Sequence, residues 1–507
     1  MIFMAKTTEN KPVIDINDER AIRIKKLQDL QEMGINPYPA LSERMQTLRE
    51  ARELPDTTSV SIAGRVMTKR DMGKLAFCHL LDDTGTLQVA FKSDEISKES
   101  YDLFAKKIDS GDIIAVQGER FVTHKGEPSV LVKQWQILSK SLLPLPDKFH
   151  GLQDEEIRLR KRYLDFIANP ELKELFRQKS RFWNSMRQFL LNEGFLEVET
   201  PVLETSAGGA DARPFVTHHN ALDIDVYLRI SCGELWQKRL MVAGFDKTFE
   251  IGRIFRNEGM SPEHAQDYTQ MEFYWSFADY QKGMDLVERM YKHIAQETFG
   301  TLQFETKNFS IDLSKKWEMY DFVELIKEKT GVDVFNTDLK EIEATLKKLD
   351  VSYDKKGFNW SRGVDTLWKF CRKSIAGPGF LVNVPVEMEP LAKRDEKNPK
   401  VVQRYQIILA GSEVGKGYSE LNDPIDQAER FGAQQKLRDA GDDEAQMFDQ
   451  DFVDALEHGM PPTTGFGVSE RLFSFLAGKP IRECQLFPLM RPMAEQAEEK
   501  DPSTTSG

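Results

Sequence analysis

The chain has 507 residues, 40 % of them hydrophobic, and a formal net charge of −13, enough length for roughly two to four domains with complete cores. The acidic balance argues against a general nucleic-acid coat protein, though not against a local basic face. Cys78, Cys232, Cys371 and Cys484 are scattered without CxxC spacing, which argues against a zinc site or a disulfide framework and suits a reducing, cytoplasmic setting.

Residues 1–57 are charged and read as a mostly helical extension. Its start, MIFMAKTTENKPV, is too short and too polar for a signal peptide. The run IRIKKLQDLQEMG has helical spacing and stops at Gly34. Residues 58–143 change character: SVSIAGRV, GKLAFCHLLD, TLQVAFK, DIIAVQGERFV and SVLVKQWQIL are short strand-like runs. A helical run, SKESYDLFAKKI, separates the third from the fourth. That pattern predicts an N-terminal OB-fold β-barrel, a frequent oligonucleotide binder. Arg65, Lys69, Arg70 and Lys74 are its candidate phosphate contacts. The proline-rich stretch LLPLPDKFHG predicts a linker over 144–151.

Residues 152–492 read as one domain of helices and antiparallel strands, so the fold class is α+β, with flanking helices on an antiparallel sheet. FWNSMRQFLLNE is amphipathic and leads into GFLEVETPVL, a strand broken by Pro201. From Phe249 to Tyr274 the chain reads strand, charged loop, strand. The loop holds Arg256, Glu258, Glu263, His264 and Asp267. An arginine at a strand end beside a charged loop suits phosphate oxygens, for which the guanidinium fork is shaped. Glu272 and Tyr274 are two apart and share a strand face, as do Tyr418 and Glu420. Residues 312–378 are helix-rich, and GFGVSERLFSFL sets a glycine-rich strand before a helix opening with Glu470 and Arg471. The tail 493–507 is polar, acidic and expected to be disordered. No apolar run approaches the length of a membrane span, and there are no internal repeats.

GFLEVETPVL, the Phe249–Tyr274 segment and GFGVSERLFSFL, in that order, resemble motifs 1, 2 and 3 of the class II aminoacyl-tRNA synthetases. GGADARPFVTHHNALDIDVYLRI, EVGKGYSELNDPIDQAERF and FPLMRP narrow the resemblance to the lysyl family, over about Asp18 to Pro492. The resemblance implies a ligase that activates lysine with ATP and transfers it to tRNA(Lys), working as a homodimer paired through motif 1, with neither membrane nor DNA as partner. It implies Arg256 and Arg471 as the catalytic, ATP-gripping arginines. Glu258, His264, Tyr268 and Glu413 would complete the ATP site, with Glu413 on Mg²⁺. The lysine site would comprise Gly208, Gly209, Glu234, Arg256, Glu272, Tyr274, Lys416, Tyr418 and Glu420. Glu272 and Glu420 would face the side-chain ammonium and Glu234 the α-amino group. Phe77, Gln88 and Glu127 would read the anticodon, a ring stacking on a base and polar groups meeting its edge.

The chain departs from the family pattern at several positions. HAQDY replaces HNPEF, so Ala265 and Tyr268 stand for asparagine and phenylalanine. Gln406 aligns with a metal-binding glutamate and Lys416 with a pocket asparagine. Motif 3 is one residue short, and one residue is added before Glu234. A class II relative with another substrate and a non-catalytic RNA-binding paralogue are the rival readings. A relative for aspartate or asparagine would want a cationic side-chain pocket instead of Glu272 and Glu420.

Overall fold

The computed structural model describes residues 16–146, 152, 154–259, 261, 264–355, 358–442 and 444–492. The expectations for residues 1–15, most of the linker, Glu263 and the tail 493–507 lie outside them. The chain divides into two compact units, residues 1–171 and 172–507. The short helices Glu155–Arg160 and Arg162–Ala168 fall in the first unit.

The first unit holds strands β1 (Ser59–Asp71), β2 (Leu75–Leu81), β3 (Thr86–Lys92), β4 (Ile113–Val122) and β5 (Pro128–Ser139). They close into a barrel in the order β1-β2-β3-β5-β4, as the strand count and the helix Lys98–Lys107 between β3 and β4 predict. Alternation along β2 sends Ala76, Cys78 and Leu80 into the core with Ile62, Val66, Val89 and Phe91. Phe77 and His79 therefore point outward. Two expected phosphate contacts are corrected here. Lys69 Nζ donates to the carbonyls of Phe104, Ala105 and Ile108 at 3.2, 2.6 and 2.6 Å, closing the end of the helix Lys98–Lys107, whose last carbonyls have no partner within the helix. Arg65 Nη1 donates to the Gly111 carbonyl at 2.7 Å. Arg70 and Lys74 are exposed.

In the second unit the strands are β6 (Leu196–Glu197), β7 (Leu203–Glu204), β8 (Val216–His219), β9 (Ile224–Leu228), β10 (Lys247–Phe255), β11 (Asp267–Ser276), β12 (Gln303–Thr306), β13 (Phe309–Asp312), β14 (Glu318–Asp321), β15 (Gly379–Val382), β16 (Arg404–Leu409), β17 (Ser412–Ser419) and β18 (Thr463–Ser469). An eight-stranded sheet runs β14-β15-β16-β17-β18-β11-β10-β6, with a three-stranded sheet β7-β9-β8 and a β12–β13 hairpin beside it. The break at Pro201 separates β6 from β7, since proline removes a ladder donor. The helix-rich span 312–378 carries the helices Phe322–Thr330, Leu339–Lys348 and Trp360–Cys371, but also contributes β14 to the sheet.

Strand alternation divides the sheet into two faces. Phe249, Met271, Phe273, Tyr405, Ile407, Val414, Phe466 and Val468 pack under the helices Leu172–Asn192 and Tyr280–Phe299. The helices contribute Phe182, Met186, Leu190, Leu286, Met290 and Ile294 to that core. The opposite face carries the intervening residues; on β11, β16 and β17 most of them are polar, with Ile408 packed into a second core, and this part is the floor of the site. Among the described residues no helix is long and apolar enough to cross a membrane.

Candidate active site

On that polar face, β16 presents Arg404 and Gln406, β17 presents Lys416 and Tyr418, and β11 presents Gln270, Glu272 and Tyr274; all line a cavity of ≈ 540 Å³. Glu420, just past β17, lines it as well. Between the β17 and β11 rows lie the glycines of β18. Gly465 pairs with both Tyr418 and Tyr274, and Gly467 with Lys416 and Glu272. A Cβ on Gly465 would collide with Glu420 Oε1 and the Tyr274 ring. The glycine-rich text of that strand thus leaves space between two rows of large side chains.

Other elements close the cavity. Gly209, Glu234, Arg256, Glu258, His264, Tyr268, Glu413 and Arg471 all line it. Every residue expected at the ATP and lysine sites therefore meets there except Gly208, which packs against Leu235 and accepts a hydrogen bond from Ser231 Oγ at 3.3 Å.

One part of the cavity is acidic and buried. Glu272 and Glu420 are 4 % and 1 % exposed. Glu272 Oε1 accepts from the Cys232 backbone N–H at 2.8 Å and from Gln270 Nε2. Its Oε2 accepts from Tyr274 Oη at 3.1 Å. The helix Glu234–Val242 supplies Glu234 and, one turn on, Lys238. Lys238 Nζ lies 2.8 Å from Glu234 Oε1 and 2.5 Å from Glu420 Oε2. Tyr418 Oη donates to the same Glu234 oxygen. Burial, reinforced by Glu234, pushes Glu272 up to about 7. Burial also pushes Glu420 up to about 8, against the downward pull of Lys238.

A second part is cationic. Arg256 follows β10; its Nε donates to the Ile230 carbonyl at 3.3 Å and its guanidinium lies 5.9 Å from the Tyr268 ring centroid. Tyr268 is a wall, buried with Cys232, Ile254 and Ile481. Burial holds Glu258 above the usual carboxylate range, with Arg256 pulling the other way. His264 Nδ1 shares a 2.6 Å hydrogen bond with Ser261 Oγ. Arg471 opens the helix Arg471–Leu476 and reaches the Glu413 carbonyl with Nη1 at 3.5 Å.

The two departures in the β16–β17 hairpin are tied together by residues that the sequence reading did not single out. Lys416 Nζ lies 3.3 Å from Glu389 Oε2, and Arg404 Nε lies 2.9 Å from Glu389 Oε1. Arg404 Nη2 donates to Gln406 Oε1. Gln406 is thus an acceptor already in use. Glu413 Oε1 accepts from Trp368 Nε1 at 2.6 Å. Among the described residues no group of three or more His, Cys, Asp or Glu is placed to hold a metal ion. Glu413 by itself suits an ion such as Mg²⁺, which keeps waters and needs only one or two carboxylates beside substrate phosphates.

Sequence reasoning also passed over Lys238, Gln270, Glu389, Arg404 and Trp368. The first had a signal: Glu234 and Lys238 are four apart on a helix. Glu389 lies in irregular chain and had none.

In the first unit, two of the three expected base readers, Gln88 and Glu127, bond to each other on the outward face of the barrel, and His79 adds a further bond to Glu127. Phe77 is half-buried on β2 and pairs across to Arg70 and Ala90. Gln88 donates to Glu127 Oε2 at 2.9 Å and accepts from Ser129 Oγ at 2.9 Å. His79 bridges Glu127 Oε1 and Thr68 Oγ1 at 2.9 and 2.8 Å. An aromatic ring beside amide, carboxylate and imidazole on one open strand face is suited to a splayed base.

Residues 60–138 match the family described as OB-fold nucleic acid binding domain, and residues 154–491 match tRNA synthetases class II (D, K and N). The chain is 44 % identical to a lysine–tRNA ligase of Carboxydothermus hydrogenoformans, over 94 % of this chain and 99 % of the relative. It is 43 % identical to a lysine–tRNA ligase of Thermotoga maritima, over 94 % and 97 % of the two chains. A lysine–tRNA ligase of Staphylococcus haemolyticus is 42 % identical, over 94 % and 99 %. The buried carboxylates, the paired arginines and these likenesses over nearly the whole chain agree: the chain belongs to the class II tRNA synthetases, in the family of the lysine–tRNA ligases.

Proposed function

We propose that this protein is a lysine–tRNA ligase that activates L-lysine with ATP and transfers the lysyl group to the 3′ end of tRNA(Lys). The observation that carries the reading is the pair of nearly inaccessible carboxylates, Glu272 and Glu420, in the same cavity as Arg256 and Arg471. Buried acids without a cationic ligand are costly. A lysine ammonium is a ligand that repays them, while an aspartate side chain would be repelled.

In the first step a lysine carboxylate oxygen bonds to the α-phosphorus of ATP and the bond to pyrophosphate breaks. In the second, a terminal tRNA hydroxyl bonds to the activated carbonyl carbon and AMP leaves. Positioning and charge neutralisation do most of this work. Arg256 would hold the substrate carboxylate against the α-phosphate, and Arg471 and His264 would neutralise the outer phosphates. Glu234 would take the α-amino group and Glu272 with Glu420 the side-chain ammonium, between the rings of Tyr274 and Tyr418. Glu413 would hold a magnesium ion, which when bound neutralises phosphate charge. Phe77, Gln88 and Glu127, with His79, would read the anticodon.

The reading includes a homodimer. Leu196, Val202, Leu203, Val216 and Leu222, within and near the motif 1 stretch, are 50 %, 43 %, 49 %, 58 % and 63 % exposed, an apolar surface that a second copy would cover. Sedimentation that finds only a monomer removes that part. A cytoplasmic setting belongs to the proposal, since tRNA charging occurs there. Charging of bulk tRNA with labelled lysine tests the function: lysyl-tRNA is the expected product, and charging with aspartate or asparagine instead would overturn it.

A further inference from the structure

Lys238 has no role in the chemistry above, yet it is a fully enclosed cation set directly behind two of the residues that line the cavity, Glu234 and Glu420. Its side chain is 0 % exposed. A buried lysine is rare unless paired, and this one is paired twice, with Glu234 on its own helix and with Glu420 from beyond β17. Around its ammonium stand the rings of Tyr418, Phe452 and Tyr274, at 5.4, 5.9 and 6.0 Å from Nζ to centroid. From the other packed elements, β11 brings Glu272 to the same cavity and β17 brings Tyr418. The neighbouring Arg239 is paired with Asp449 at 3.1 Å.

The geometry points to Lys238 as a positioning residue for substrate lysine: a resident ammonium that holds one oxygen of Glu420 and turns the other toward the pocket. The inference rests on the lysine reading of the cavity. Three carboxylates, Glu234, Glu272 and Glu420, line the same cavity, and two of them, Glu234 and Glu420, share Lys238 as their counter-ion. Lys238 contacts Glu420 through Oε2. Oε1 faces the space left by the missing Cβ of Gly465. The resident ammonium therefore takes one oxygen and leaves one.

The burial that pushes Glu420 upward is opposed first by Lys238. Without that ammonium the carboxyl would hold its proton to still higher pH, and a protonated acid binds a lysine ammonium poorly. The effect is therefore pH-dependent in a way that a packing role is not.

The test compares wild type with Lys238→Met, which keeps the shape and removes the charge, and Lys238→Arg, which keeps the charge. The readout is KM for lysine in ATP–pyrophosphate exchange from about pH 6.5 to about pH 9. In K238M the KM should rise at least about tenfold near neutrality and recover as pH rises, its midpoint displaced upward by about one unit. KM for ATP should stay within about twofold, and K238R should follow the wild-type profile. A K238M profile parallel to wild type, or KM values for lysine and ATP rising together, overturns the role. Thermal melts decide the matter where K238M folds poorly. The orphaned carboxylates are harmless when protonated, so the loss of Tm should shrink toward about pH 5 and grow as pH rises. A loss equal at every pH, or a variant unfolded at every pH, makes Lys238 a packing residue. Wild-type exchange that does not respond to lysine would instead refute the underlying lysine reading, whatever the variants do.

Discussion

Glu420→Gln is the perturbation that separates the side-chain pocket from the rest of the cavity. The amide keeps the size of the carboxylate and removes its charge. Lys238 loses its 2.5 Å partner but keeps Glu234 at 2.8 Å, so no buried ammonium is orphaned and the fold should persist. Substrate lysine loses one charge-assisted hydrogen bond, about 1.5–3 kcal/mol, or roughly 10- to 150-fold in KM for lysine. The effect should depend on pH. Glu420 is raised to about 8, so below that pH the free enzyme is enriched in the protonated form, which resembles glutamine. The ratio of mutant to wild-type KM should therefore be smallest near about pH 7 and grow toward about pH 9. Stability follows the same linkage. With a folded pKa above its unfolded value, the group's stabilising contribution is full below the ordinary carboxylate range and is lost as pH rises through about 8. Free wild type should thus lose Tm over that window more than the glutamine variant, and lysine should restore it. Initial rates of lysine-dependent pyrophosphate exchange at saturating ATP measure the ratio. An equal rise in the KM values for ATP and lysine, or a ratio flat with pH, would refute the assignment.

Arg256→Ala should lower exchange by roughly 10²- to 10³-fold, since removing one preorganised donor to developing charge costs about 2.7–4 kcal/mol; near-normal exchange in a variant with an unchanged melt would take Arg256 out of the site. Phe77→Ala, Gln88→Ala and His79→Ala should reduce tRNA charging while sparing pyrophosphate exchange, because the barrel face holds no ATP-site residue; parallel losses in both assays would make that face structural. Lys416 and Gln406 make the β16–β17 hairpin more positive than the family pattern by about two charges. If Lys416 stands in for part of the metal charge, Lys416→Ala should shift the Mg²⁺ concentration for half-maximal exchange upward by several-fold, and an unshifted titration would leave Lys416 as a partner of Glu389 only.

The resemblance to the lysyl family named the site residues, and strict alternation in strands supported part of that reading. Glu272 with Tyr274 and Tyr418 with Glu420 were placed on common faces from spacing alone, and they meet across the glycines of β18. The barrel was legible from its strand count and its inserted helix. Its outer face was less so. Aromatics in strands usually turn inward, yet Phe77 faces out because Ala76, Cys78 and Leu80 hold the inward positions. Lys69 looked like a phosphate contact, but the carbonyl end of a neighbouring helix claims it, and that proximity exists only after folding. Lys238 was hidden by the ordinary expectation that helix lysines face water. Glu389 and Arg404, which organise Lys416 and Gln406, converge from separate segments with no shared sequence pattern.

The most direct measurement is ATP–pyrophosphate exchange run separately with each of the twenty amino acids. The two buried carboxylates predict that lysine alone supports rapid exchange, at least about 10²-fold above aspartate and asparagine, since a site built for a charged partner rejects its opposite strongly. Exchange driven by aspartate or asparagine, or by no amino acid at all, would contradict it.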